Sequence, residues 1–206
     1  MNTLPMTENK VLMAQARESL RGKWGLAVGT FVVYVAIAIV INIIPFLGII
    51  LSIFIISPLV LGITIFSLAI SRNQNAEFSQ LFKGFEKYGT CVGAYLLQFI
   101  FVFLWMLLLI IPGIIAALSY ALTFFIIVDN DSIGPLEAIT KSKEMMRGNK
   151  GKLFCLYFRF LGWGILCIFT FGIGMLWLAP YMMVSAAKFY DDVKTQQPVP
   201  SQAAAG

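Results

Sequence analysis

Three long tracts with almost no charge dominate the chain. No Lys, Arg, Asp or Glu occurs from Trp24 to Ser71, a run of 48 residues, or from Tyr88 to Val128, a run of 41. A third tract, 35 residues from Leu153 to Ala187, holds the single charge Arg159. A helix crossing a bilayer needs roughly 20 apolar residues, so each of the first two tracts has room for two spans. The third is short for two. It reads either as two spans, with Lys152 and Lys188 snorkelling to the interface, or as a shallow re-entrant hairpin. A proline or glycine break divides each tract, at Pro45 to Gly48, Pro112-Gly113 and Gly172 to Gly174. The predicted spans are therefore about 24–44, 48–70, 89–111, 113–129, 153–171 and 174–190. The expected fold class is all-α: a polytopic membrane protein with six transmembrane helices as three helical hairpins.

The polar segments between the tracts share a design. From Thr7, a plausible N-cap, Met13, Ala16, Leu20 and Trp24 recur at a helical spacing, with Lys10, Arg17 and Arg21 on another face. That pattern predicts an amphipathic helix at a membrane surface. Asn75 is placed to cap a second such helix, with Phe78, Leu81, Phe82 and Phe85 on one side and Lys83, Glu86 and Lys87 elsewhere. In the third, Gly134 stands at the N-cap and Pro135 at the first helical position, which suits its missing N–H. Glu137 sits where a carboxylate favours the first turn and four residues before Lys141, while Leu136, Ile139 and Met146 make a thin apolar stripe. Each hairpin is thus expected to follow a cytoplasmic amphipathic helix.

The parallels extend into the spans. Gly25, Gly89 and Gly151 are followed four residues later by Gly29, Gly93 and Cys155, and Pro58, Ser119 and Pro180 are 61 residues apart. The reading is one membrane domain over 1–206, built of three parallel repeat-like units at about 7–72, 73–131 and 132–193, with a disordered polar tail at 194–206. Residues 1–6 also read as disordered. Small residues let helix backbones approach closely, which makes Gly25, Gly29, Gly89, Gly93 and Gly151 candidate packing positions. Pro58 and Pro180 are expected to kink or cap their helices.

Charge sets the topology. Of the 15 basic residues, all but Arg159 lie in the N-terminal segment, the two long loops or the C-terminal stretch, and none lies in the three tight turns. The positive-inside rule then puts both termini in the cytoplasm. The net charge of +5 suits an anionic inner leaflet. The bases are too dispersed for a nucleic-acid surface. The expected partners are anionic membrane lipids and, beyond them, a protein partner or a second copy of the chain.

Candidate chemistry is sparse. Histidine is absent, which removes the commonest metal ligand and general base. Cys91, Cys155 and Cys167 fit no metal or redox spacing. No phosphate loop, nucleophile motif or zinc motif occurs. The expectation is no catalytic residue, no metal and no cofactor. Arg159 stands out as a charge about 10 Å along the helix from Lys152. It is expected to pair with Asp129, Asp191 or Asp192, to hold a lipid headgroup or anionic ligand, or to serve transport. With Lys141, Lys143, Arg147, Lys150 and Lys152 it forms the candidate lipid or ligand contact. Asp129, Asp131, Asp191 and Asp192 read as solvated carboxylates at the aqueous edge. Gln98, Asn42 and Tyr34 are the other sizeable polar groups inside spans.

Three segments carry a family resemblance: ARESLRGKWGLAV, FSQLFKGFEKYG and GPLEAITKSKEMMRGNKGKLFCLYFRFLGWGILCIFTFGIGMLWLAPYMMVSAAKFYDD. Over roughly residues 10–193 the chain resembles a bacterial integral-membrane family catalogued as domain of unknown function 975. It is more distantly similar to the membrane portion of some glycerophosphodiester phosphodiesterases, whose chemistry lies in a soluble domain that this sequence lacks. The resemblance implies a six-helix protein of the bacterial cytoplasmic membrane with no known activity. The functional expectation is a non-enzymatic protein that organises lipid or a partner at the cytoplasmic leaflet. The alternative is a small-solute transporter or channel, and a lipid-active enzyme using Asp129 or Asp191 is a third class.

Overall fold

The computed structural model describes residues 7–43, 47–170 and 172–196. The expectations for residues 1–6, for Pro45 and for the tail from 197 onward lie outside the described residues. Lys194 to Gln196, expected to begin that tail, still belong to the last helix. The chain folds into α1 (Asn9–Ser19), α2 (Trp24–Asn42) and α3 (Leu47–Ser71), then a 3-10 segment (Phe78–Lys87). There follow α4 (Tyr88–Leu108), α5 (Ile110–Tyr120), α6 (Thr123–Asp129), α7 (Pro135–Met145), α8 (Lys150–Ile168) and α9 (Met175–Gln196).

Among the described residues, five helical stretches are long and apolar enough to cross a membrane: Trp24–Asn42, Ile53–Ser71, Phe78–Leu108, Ile110–Asp129 and Lys150–Ile168. α9 is 22 residues long but carries Lys188, Asp191, Asp192 and Lys194, and is not among the five. The outer surface is apolar where a water-soluble protein would be polar. Phe169 is 80% exposed, Leu107 75% and Ile168 74%. Contiguous apolar exposure on this scale needs a non-aqueous surrounding.

α3, α6 and the C-terminal half of α9 make the core. Leu68, Ile126, Ile127, Phe189 and Val193 are buried there together, and the Phe125 and Tyr190 rings stack at 5.5 Å. Around this core the polar segments pack in a cyclic order. α1 lies on α9, the 3-10 segment on α3, and α7 on α4, α5 and α6. The contact points fall at or beside Pro58, Ser119 and Pro180. Gly84 abuts the Pro58 carbonyl, the Ser142 hydroxyl donates to the Ser119 carbonyl at 2.9 Å, and the Tyr181 hydroxyl donates to the Met13 carbonyl at 3.2 Å.

Several local expectations are corrected. The prolines do not cap their helices: α3 runs through Pro58 and α9 through Pro180. The broken helix is the one with Ser119 in place of a proline at the corresponding position, where Ala121 and Leu122 separate α5 from α6. Ser142 of α7 stitches that break. Its hydroxyl donates to Ser119 and accepts from the Leu122 N–H at 3.2 Å, so the backbone groups freed by the break are partnered. The turn expected at Pro112-Gly113 lies at Leu109, which is extended (φ −162°, ψ 144°). Pro112 then falls in the first turn of α5, where its missing N–H costs no hydrogen bond.

The second polar segment winds with three residues per turn instead of 3.6. That pitch aligns Leu81 and Gly84, which are buried, and sets Phe82 and Phe85 in a second row that faces outward, while Phe78 at the start of the segment is also exposed. Gly84 is required: a Cβ there would sit 1.8 Å from the Pro58 oxygen, and one on Gly62 would sit 1.9 Å from the Leu81 oxygen. The close packing expected of the other glycines belongs here. A Cβ on Gly25, Gly29, Gly89 or Gly151 would meet open space, and of the five only Gly93 touches a neighbour, Pro135. The caps also differ. α1 starts after Glu8, because the Thr7 hydroxyl is engaged by Asp192, and the 3-10 segment starts after Glu77, to which Asn75 donates at 2.9 Å. Gly134 and Pro135 stand at the start of α7 as expected. Among the described residues no ion pair joins Glu137 to Lys141.

Candidate functional site

α1 leaves one edge of its amphipathic face open toward α8. Its buried side, Leu12 and Ala16, is held against the core, so Lys10, Arg17 and Arg21 project from the opposite side. Arg159 on α8 faces the same space. The four cations line a cavity of about 860 Å³ together with Glu18, Trp24, Trp163 and Tyr181. Glu18 and Arg21 form an exposed pair at 3.5 Å. The cavity continues into an apolar one of about 500 Å³, lined by Leu166, Cys167, Trp177 and Leu178. Met13, Arg17, Trp24, Trp163 and Tyr181 belong to both. Tyr181 is fixed by an edge-on contact with Phe160 at 5.2 Å and a tilted one with Trp24 at 6.4 Å. One groove thus runs from guanidinium and ammonium groups, past an aromatic collar, to an aliphatic floor. Trp and Tyr favour such boundaries because one edge is polar and the ring apolar.

Behind the groove, the polar ends of the core helices are locked by ion pairs. Arg72, just past α3, grips Asp129 through both terminal nitrogens, each at 2.8 Å, and also reaches Asp191 at 2.7 Å. Lys194 adds a contact to Asp129 at 2.6 Å and the Tyr190 hydroxyl donates to it at 3.1 Å. Hydrogen bonding to Asp129 raises the pKa of Arg72 above its ordinary value, burial opposes this less strongly, and Asp191 adds to the rise. Asp192 faces the other way, accepting from Lys152 at 2.9 Å and from the Thr7 hydroxyl at 2.6 Å. Lys87 bonds Asp131 at 2.8 Å. Among the described residues, no three His, Cys, Asp or Glu side chains gather as a metal site requires.

The family described as "Protein of unknown function (DUF975)" matches residues 6–124 and 98–197. The chain belongs to this family. No curated protein matches it, and no solved structure does. The apolar helices agree with a membrane protein, and DUF975 membership brings no assigned activity.

In this DUF975 protein the expected ligand cluster is divided. Arg159 lines the groove, and Lys152 lies on its polar flank. Lys150 instead borders a separate apolar cavity with Ile114, Ile115, Leu118 and Phe154. Lys141, Lys143 and Arg147 line none of these cavities. Arg159 does not pair with Asp129, Asp191 or Asp192, because Arg72, Lys194 and Lys152 occupy those carboxylates. The acidic residues expected to be solvated are therefore all ion-pair partners, and of them Asp131 alone is also fully exposed. Asn42 bonds its own helix at Ala38, and the buried Gln98 carbonyl oxygen has no partner among the described residues. The groove residues that sequence reasoning passed over are Trp163, Tyr181 and the α1 cations. Their signal was available: Lys10 and Arg17 share one face of α1, and Arg21 lies three residues before the interfacial Trp24.

Proposed function

We propose that this protein is a non-enzymatic, multi-pass protein of the bacterial cytoplasmic membrane, with both termini inside, that holds an anionic phospholipid at the inner leaflet. The observation that carries this reading is the continuity of the groove: four cations at one end, Trp24, Trp163 and Tyr181 in the middle, and an apolar floor beyond. Arginine binds phosphate through paired N–H donors, and the aliphatic floor offers a place for an acyl chain.

The membrane arrangement in this reading is six spans as three hairpins, with α3, α5–α6 and α9 as the returning arms. Two observations support three related units. The polar segments pack in a cyclic order at positions 61 residues apart, and the two family matches overlap over residues 98–124. Such an overlap is what an internally repeated chain produces. α1, the 3-10 segment and α7 would then form a cytoplasmic collar.

The test is lipid retention. Purified protein should carry anionic phospholipid by native mass spectrometry. The double variant Arg17→Gln, Arg159→Gln should lose it at least tenfold while keeping the same thermal midpoint. Undiminished retention would remove the groove from the reading. Solute flux in liposomes that depends on Gln98 or Asn42 would replace it with transport.

A further inference from the structure

A second polar cavity adjoins the basic end of the groove. It measures about 480 Å³ and is lined by Thr7, Asn9 and Lys152, with Lys10 and Arg159 shared between the two cavities. The charges do not balance. Lys10, Arg17, Arg21, Lys152 and Arg159 face only Glu8 and Glu18, and Asp192 neutralises Lys152 at 2.9 Å. Two positive charges stay unmatched. A single phosphodiester carries one negative charge and would match only one of the two.

Resting on the lipid reading above, we propose that the ligand is a diphosphatidyl lipid: two phosphodiesters joined by a short polyol. One phosphate lies against Arg17 and Arg21. The second lies against Lys10 and Lys152, and Arg159 stands between them. Basic pockets between helices on the cytoplasmic side suit such headgroups. Lys152 keeps N–H donors beyond the one given to Asp192. An acyl chain follows the floor past Trp163, Leu166 and Trp177. A phosphomonoester lipid brings two charges to one point, whereas here the cations line two cavities.

Native mass spectrometry with tetraoleoyl cardiolipin, dioleoyl phosphatidylglycerol and dioleoyl phosphatidic acid tests the proposal. The expected result is one tight cardiolipin per chain, bound at least tenfold more strongly than phosphatidylglycerol or phosphatidic acid. Lys10→Gln, at an exposed position, should weaken cardiolipin at least tenfold and phosphatidylglycerol by clearly less, so that the preference between the two lipids is lost. Equal affinity for cardiolipin and phosphatidylglycerol, or a match by phosphatidic acid, overturns the two-phosphate site while leaving anionic-lipid binding intact. Absence of binding by all three lipids overturns the underlying lipid reading as well.

Discussion

Asp191 and Asp192 are consecutive residues of α9, yet their carboxylates bind opposite sides of the protein. Asp191 accepts from Arg72 at 2.7 Å and so joins α9 to the ends of α3 and α6, while Asp192 accepts from Lys152 at 2.9 Å and joins α9 to α8 and the start of α1. The two sides should differ in sensitivity. Asp129, the shared partner of Arg72, has a side chain only 8% exposed. Removing Arg72 takes away the two guanidinium contacts of Asp129 and leaves it with Lys194 and Tyr190, so the cost should stay below the roughly 3 kcal/mol of a stranded buried charge. Arg72→Gln should therefore lower the thermal midpoint in detergent more than Asp191→Asn, which leaves the Arg72–Asp129 pair standing. Asp192→Asn should loosen α1, read as faster amide exchange over residues 9–19.

Gly62 and Gly84 allow two backbones to touch. A methyl group at either would overlap a carbonyl oxygen, and overpacking of this kind costs roughly 1–3 kcal/mol or more. Gly84→Ala should reduce the yield of monodisperse protein in size-exclusion chromatography. Gly25→Ala, with open space around it, should be neutral or should stabilise α2 by up to about 1 kcal/mol.

The break in the second returning helix depends on one hydroxyl. Ser142→Ala would leave the Leu122 N–H and the Ser119 carbonyl without their side-chain partner in a buried position. Each unmet group costs about 1–3 kcal/mol, so the variant should unfold several degrees lower in a thermal melt. Thr140→Ala, on the exposed side of α7, is the matched control and should melt like the parent.

Asp131 gives a pH signature. Its carboxyl is held below its ordinary value by the hydrogen bond from Lys87, and then by the charge of that residue. A lowered carboxyl pKa means the folded state binds its proton less readily than the unfolded chain. The stability it contributes is present above the ordinary carboxylate range and disappears as the pH falls through the folded value. Asp131 is exposed, so the effect is small. The melting difference between the parent and Asp131→Asn should be detectable at about pH 7 and should shrink as the pH falls below the ordinary carboxylate range.

The apolar tracts could be read from sequence because lipid imposes a simple rule: an uncharged run of sufficient length becomes helix. Trp24 and Tyr88 open their helices within a residue of the predicted starts. What stayed hidden depends on contacts between distant residues. Nothing local marks Ala121 as the end of α5, because the break is satisfied by Ser142, some 20 residues away. Nothing near Asp129 shows that Arg72 will reach it, because that requires three helix ends to meet. The 3-10 winding of Phe78–Lys87 follows from the squeeze between Gly84 and Pro58, whereas the isolated segment reads equally well as an α-helix. The groove was half legible. Arg159 was visible as an isolated charge, but its neighbours Lys10, Arg17 and Arg21 come from the opposite end of the chain.

The cyclic packing of the polar segments bears on how the protein comes apart. In an open array of repeats the end units have a free face and fray first, so unfolding can proceed unit by unit. Here α1 rests on α9, and Thr7 is tied to Asp192, so the start of the chain supports its end. Among the described residues each polar segment lies against a helix distant in sequence, α1 on α9, the 3-10 segment on α3 and α7 on α6. Opening any one of these three seams exposes apolar surface on both of its sides. The chain should for that reason melt in a single cooperative step.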